Sequence, residues 1–211
     1  MIARRFRASI VVVTLAFATS RAAAQAPPDR TLPAPLSAPT RATLLGLIDS
    51  ARVAGLPVDP LYSKVREGVF RSADEGRVIA AVQRLLHDLA DARSALGDSV
   101  GAEEITAGAN ALRAGIRPAE LSRLSDARGR GTDRHPLTVA LVVLADLATR
   151  GVPPTLAAAS VNELVARNVS DGSLLSFRQN VERDLIGGRS AASALDARTR
   201  SMIEDAERRR P

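Results

Sequence analysis

Apolar residues recur at alternating steps of four and three through residues 72–96, a pattern typical of one buried helix face. Ser72 and Glu75 have the spacing of a capping box at the start of this helix, and Gly97 follows its last apolar position. A helix with a long apolar face must pack against other helices, so this segment predicts the centre of a helical domain. The apolar positions are Val78, Val82, Leu85, Leu89, Ala92 and Leu96.

The pattern stays helical from Arg41 to the end of the chain, and strand-like alternation does not interrupt it. Proline at first-turn positions and glycine after last-turn positions set the expected boundaries. These features predict an all-α fold of about eight or nine helices, forming either a bundle or an α-solenoid-like stack of helical hairpins. The expected helices are residues 41–54, 59–69, 72–96, 101–114, 118–127, 136–150, 154–167, 171–186 and 190 onward.

One helix junction recurs at residues 52–57, 113–118 and 149–154, with a weaker copy at 183–189 that lacks proline. Each full copy has an arginine before the helix end, then glycine, a branched apolar residue and proline. The glycines are 60, 36 and 36 residues apart when Gly187 is taken as the last one. Equal steps favour helical-hairpin repeats, whereas a bundle that reuses good caps would show the same motif.

The first residues have the organisation of a secretory signal peptide. Residues 1–24 contain an arginine-rich start, an apolar centre at 10–18 and three alanines that suit cleavage after Ala24. The apolar run is about half the length of ~20 residues that a membrane span needs, although a retained anchor is the alternative reading. Cleavage predicts an exported protein, periplasmic or extracellular. Residues 25–40 are rich in proline and predict a disordered linker before a single domain at 41–211.

Composition and charge exclude several function classes. The formal charge of +6 falls to +2 once the four leader arginines are removed, and aromatic residues make up only 2% of the chain. A nucleic-acid binder would show a basic face with aromatic platforms, so no nucleic acid is expected as a partner. The absence of cysteine excludes disulfides, thiolate metal sites and a cysteine nucleophile. No cofactor is predicted.

The most unusual polar stretch is residues 128–135, RGRGTDRH. Its glycines free backbone amides, and Arg128, Arg130 and Arg134 could hold a phosphate or carboxylate, with His135 at the end of the loop. The stretch lacks the lysine and hydroxyl residue of a P-loop. A charged loop between two helices, kept soluble by its arginines, is the alternative interpretation.

Two further groups have simple structural explanations. His87 and Asp91 are four residues apart and share a helix face, which makes two ligands of a metal site but no third. Glu103 and Glu104 are adjacent, so they point about 100° apart on a helix, and acids in a first turn interact favourably with the helix dipole. The sequence therefore predicts neither a catalytic residue nor a metal ligand.

With no reactive constellation, the sequence favours a protein-binding or scaffold role, with another envelope protein as partner. One alternative is an envelope hydrolase that uses carboxylates such as Glu67 or Glu163, and it requires a deep pocket with two acids within reach. The other alternative is an anion-binding regulatory module that uses the loop of Arg128, Arg130, Arg134 and His135.

Overall fold

The fold is all-α. The computed structural model describes residues 30–128 and 136–208, and this part of the chain contains nine α-helices and no strand. The fold class predicted from the sequence is therefore confirmed. The helices are α1 (Ala38–Val53), α2 (Asp59–Phe70), α3 (Glu75–Leu96), α4 (Ala102–Arg113), α5 (Pro118–Ala127), α6 (Thr138–Thr149), α7 (Pro154–Ala166), α8 (Asp171–Ile186) and α9 (Ala191–Arg208).

Helix α3 is central, as its pattern predicts, because it packs on α1, α2, α4 and α5 and all six predicted apolar positions are buried. Its start differs from the expected capping box. Asp74 is the N-cap, and its carboxylate accepts from the amides of Gly76 at 2.9 Å and Arg77 at 3.3 Å. Ser72 has a φ of 52° and instead belongs to the turn that ends α2. The capping-box prediction is therefore wrong.

The helices lie in two layers. Extensive packing joins α1 to α3, α3 to α5, α5 to α7 and α7 to α9 in one layer, and α4 to α6 and α6 to α8 in the other. Between the layers it joins α2 to α3, α3 to α4, α6 to α7 and α8 to α9. Within the described residues, extensive packing thus links only helices that are adjacent or next-adjacent in order.

The recurring junctions are helix caps of one geometry. Gly55, Gly115 and Gly151 have φ values of 68°, 96° and 85°, which an L side chain adopts only with strain. The residue after each glycine is apolar and has a buried side chain, and its backbone amide donates to the carbonyl of the residue five positions earlier. These residues are Leu56, Ile116 and Val152. In the weaker copy Gly187 is the C-cap of α8 and has a φ of −73°. The positive φ, 85°, belongs to the next residue, Gly188. The last step is therefore one residue longer than the sequence spacing indicates.

Residues 30–37, which the sequence analysis placed in the linker, lie against the helices. Leu36 is 8% exposed, and Arg41 Nη2 donates to the carbonyl of Pro33 at 2.9 Å. Arg30 Nε donates to Asp59 Oδ1 at 2.7 Å. Because α1 begins at Ala38, the folded domain starts before residue 41.

Glu75 joins the starts of α1 and α3. Its Oε1 accepts from the Ser37 amide at 2.7 Å, and its Oε2 accepts from Ser37 Oγ at 2.6 Å and Thr40 Oγ1 at 2.5 Å. These hydrogen bonds to the ionised carboxylate lower the pKa of Glu75 to about 2. The starts of α1 and α3 are thus joined by a carboxylate that stays ionised until the pH falls to about 2.

The predicted signal peptide at 1–24, with its cleavage point at Ala24, lies outside the described residues and stays a prediction. Within the two described ranges, none of the helices combines the length and the apolar character that a bilayer crossing requires.

Candidate functional site

Arg128 ends α5 and directs its side chain into the protein. The side chain is only 5% exposed, and Nη1 donates to Glu104 Oε1 at 2.6 Å. The same carboxylate oxygen accepts from the Leu137 amide at 2.8 Å, and Glu104 Oε2 accepts from the Gly101 amide at 3.3 Å. One buried ion pair thus connects the first turn of α4, the end of α5 and the start of α6.

The predicted anion-binding loop is therefore only partly described. Arg130, Arg134 and His135 lie outside the described residues. Arg128, the member that is described, does not extend toward solvent as a free loop cation, because Glu104 already holds its Nη1. The sequence analysis assigned Glu104 to the helix dipole and missed this pair. In the sequence, Glu104 is recognisable only as an acidic residue in the first turn of a helix. The helix dipole already explains such a residue, so nothing in the sequence indicates an ion pair with Arg128.

A pocket of about 260 Å³ lies beside Arg128, between the start of α6, the end of α7 and the start of α8. Four of its apolar lining residues are buried, whereas Asn168, Ser170 and Asp171, which also line it, are exposed. The Nε and Nη2 atoms of Arg128 are buried and have no hydrogen-bond partner in the described part of the chain. The four buried apolar residues are Leu137, Ala140, Val165 and Leu174.

A larger depression runs over α2, α3 and α4, and we call it the α2–α4 groove. It consists of two open pockets of about 670 and 680 Å³, which adjoin because both are lined by Lys64, Leu85 and Arg113. Leu85 is 5% exposed and supplies an apolar floor. The further lining residues with ionisable side chains are Asp59, Glu67, Arg84, His87, Asp88 and Glu103.

Charges in the α2–α4 groove are partly paired. Glu67 Oε2 accepts from Lys64 Nζ at 2.5 Å, and Glu67 Oε1 lies 3.0 Å from Arg71 Nη1. The hydrogen bond from Lys64 is the main reason that the pKa of Glu67 lies below its ordinary value. Partial burial raises the pKa of Asp88, and the opposing effects of Arg113 and His87 are smaller. An added cation near Asp88 would therefore stabilise its ionised form.

The two carboxylates named for a hydrolase are in different places. Glu67 lies in the α2–α4 groove and is held by two cations, which does not suit a general acid. Glu163 is exposed in a separate pocket of about 470 Å³ between α7 and α9, which Asp196 and Glu204 also line. Asp196 lies 2.8 Å from Arg200. The two named carboxylates therefore lie in separate pockets and do not form one acid pair with each other.

His87 and Asp91 approach each other as their spacing predicts. His87 Nε2 is 3.4 Å from Asp91 Oδ2, and the histidine side chain is 77% exposed. In the described part of the chain, no group of three histidine or acidic side chains has the arrangement of a metal site. Comparisons with protein-family models, with curated proteins and with solved structures returned no match for this chain.

Proposed function

We propose that this chain is an exported helical protein that works by binding another envelope protein in the α2–α4 groove. The observation that carries the proposal is the pair of adjoining open pockets on α2, α3 and α4, which share Lys64, Leu85 and Arg113. Each pocket alone has a volume within the ~300–1,000 Å³ of a small-molecule site, and the two adjoin. A surface made of two adjoining open pockets suits a polypeptide segment.

The side chains of the groove define the chemistry of the partner. Leu85 offers an apolar floor, and Lys64 and Arg113 lie beside it. Asp88 is partly buried and has its pKa raised, so a lysine or arginine of the partner would stabilise its ionised form. The partner segment therefore carries an apolar residue for Leu85 and a basic residue for Asp88.

Binding accounts for the groove better than catalysis does. A general acid or base needs a carboxylate free to exchange a proton near the working pH. Glu67 is held ionised by Lys64 and Arg71. The leader at 1–24 supports an extracytoplasmic partner, and a chain without cysteine suits an oxidising compartment as well as a reducing one.

Site-specific photo-crosslinking in cells tests the proposal. Asn110 is exposed on the α4 side of the groove, so we expect a photoreactive amino acid there to give one discrete protein adduct. Gln179 is the matched control, because it is an exposed amide side chain on α8, a helix that does not line the groove. Adducts at Asn110 alone support the proposal once mass spectrometry identifies the same partner in each preparation.

Equal adducts at both positions, or none at Asn110, would contradict the groove as the binding surface. The identified partner must also bind the purified chain, and Asp88→Asn must weaken that binding, since it removes the charge expected to face a basic residue. Binding that is indifferent to Asp88→Asn and to Leu85→Ala would place the partner elsewhere on the protein.

A further inference from the structure

Helix α2 lies in the layer of α4, α6 and α8, and this layer has a gap beside it. Extensive packing joins α4 to α6 and α6 to α8, whereas among the described residues none joins α2 to α4. Both α2 and α4 still pack on α3, which lines the space between them with Leu85. The α2–α4 groove therefore lies where these two helices would otherwise contact each other.

The groove runs along α4. Its lining residues on this helix recur at helical steps, so they form a single face over nearly the whole helix. The span from the first to the last of them is about 15 Å, which is the length of about three helical turns. These residues are Glu103, Thr106, Ala107, Asn110 and Arg113.

The walls of the groove restrict the conformation of a bound segment. An extended segment gains its main-chain hydrogen bonds from a sheet edge, and the described part of the chain contains no strand. A polyproline segment binds between aromatic side chains, and no phenylalanine, tyrosine or tryptophan lines either pocket of the groove. A helix pairs its main-chain groups internally, so it needs only an apolar surface and complementary charges from the groove.

The side chains of the groove supply both. Leu85 is the apolar floor, and Val142 of α6, which is 42% exposed, is an apolar residue on the opposite rim from α2. Charges of both signs lie beside them, and an amphipathic helix with both signs next to its apolar face complements this arrangement. The charged lining residues that make no ion pair among the described residues are Arg84, Asp88, Glu103 and Arg113.

We propose that the partner segment in the α2–α4 groove is an amphipathic helix of about three turns that lies along α4. Its apolar residues, three and four positions apart, contact Leu85 and Val142, and a basic residue pairs with Asp88. This inference rests on the proposed function, because it concerns the partner of the same groove. It adds the conformation of the bound segment and its residue pattern.

Two photoreactive positions on α4 measure the conformation. Ala102 and Asn110 are both exposed in the groove and lie about 12 Å apart along the helix. A bound helix rises as α4 does, so the partner residues attached from the two positions should be about eight apart in sequence, whereas an extended segment would place them about four apart. A separation of about four overturns the helix and leaves the groove as the binding surface. No adduct at Asn110 overturns the proposed function, and this inference with it.

A synthetic peptide of the crosslinked segment gives a second test with the full chain. One central peptide residue that faces away from the groove is replaced by alanine or by proline. We expect the alanine peptide to bind as the unchanged peptide does and the proline peptide to bind at least about tenfold more weakly, because proline breaks a helix without removing a contact. Equal affinity of the two peptides overturns the proposal.

Val142→Ser tests whether the helix reaches α6. We expect it to weaken binding of the unchanged peptide at least about threefold, because the exposed part of this side chain becomes buried in the complex. Leu175→Ser on α8 is the matched control, since Leu175 is 41% exposed and does not line the groove. Equal affinity of both variants overturns the placement of the helix between α2 and α4.

Discussion

Replacing Glu104 with alanine isolates the buried ion pair that joins α4, α5 and α6. The Glu104 side chain is 10% exposed and that of Arg128 is 5% exposed. In the variant the Arg128 guanidinium stays buried without its anion. The Leu137 amide, bound at 2.8 Å to the same carboxylate in the unchanged chain, also loses its acceptor. Both losses act in the folded state, because water solvates all of these groups when the chain is unfolded.

Breaking a buried ion pair by removing one partner costs about 3–5 kcal/mol, and the lost amide acceptor is part of that figure. A domain of this size is stable by about 5–15 kcal/mol, so Glu104→Ala should remove about a fifth of its stability or more. Asp196→Ala is the matched control. It breaks the Asp196–Arg200 pair, whose side chains are 70% and 66% exposed, and should cost no more than about 0.5 kcal/mol.

Urea unfolding followed by circular dichroism at 222 nm measures both variants. We also expect Glu104→Leu combined with Arg128→Met to be more stable than Glu104→Ala, because the pair is replaced as a unit and no buried charge remains. A loss below about 1 kcal/mol for Glu104→Ala, comparable with the Asp196→Ala control, would refute the reasoning. It would mean that water reaches Arg128 and replaces the carboxylate.

Four further predictions follow from the helix contacts and the leader. Gly108→Ala should destabilise the protein by about 1 kcal/mol or more in urea unfolding, because its Cβ would lie 3.0 Å from two side chains of α3, whereas Gly46→Ala, with open space at its Cβ, should stabilise by up to about 1 kcal/mol. Gly115→Ala, at φ 96°, should lower stability by about 1–2 kcal/mol by the same measurement. The folded pKa of Glu75 is about 2, below the ordinary 4.5, so its contribution to stability is complete above the unfolded pKa and is lost as the pH falls through the folded value. Acid titrations of unfolding should therefore show a smaller loss of stability between pH 4.5 and pH 2 for Glu75→Gln than for the unchanged chain. Intact mass measurement of the protein secreted by a bacterial host should give a chain that begins after Ala24, and a retained leader would contradict export with cleavage.

The helices could be predicted because each depends on residues close in sequence. The steps of four and three in α3, and Pro118 and Pro154 at the starts of α5 and α7, fix local geometry without reference to distant parts of the chain. Where local signals competed, the prediction was wrong. Ser72 suits a helix N-cap by type, yet Asp74 takes that role, because the chain first needs a positive φ to leave α2.

The candidate sites could not be predicted because they form between distant segments. Glu104 and Arg128 are 24 residues apart, and the α2–α4 groove depends on how α2 lies beside α4 across α3. Leu156 shows the same limit within a helix, since it is an apolar residue of α7 and is nevertheless 38% exposed. Helical periodicity indicates which residues share a face, whereas the packing of the neighbouring helices decides how much of that face is covered.

The affinity of the crosslinked partner for the purified chain tests the central claim most directly. Asn110→Trp places a bulky ring in the α2–α4 groove, and Gln179→Trp places the same ring on α8, away from it. We predict that Asn110→Trp weakens binding at least about tenfold, with unchanged helix content, and that Gln179→Trp binds as the unchanged chain does. Equal affinity for both variants would contradict a partner in the α2–α4 groove.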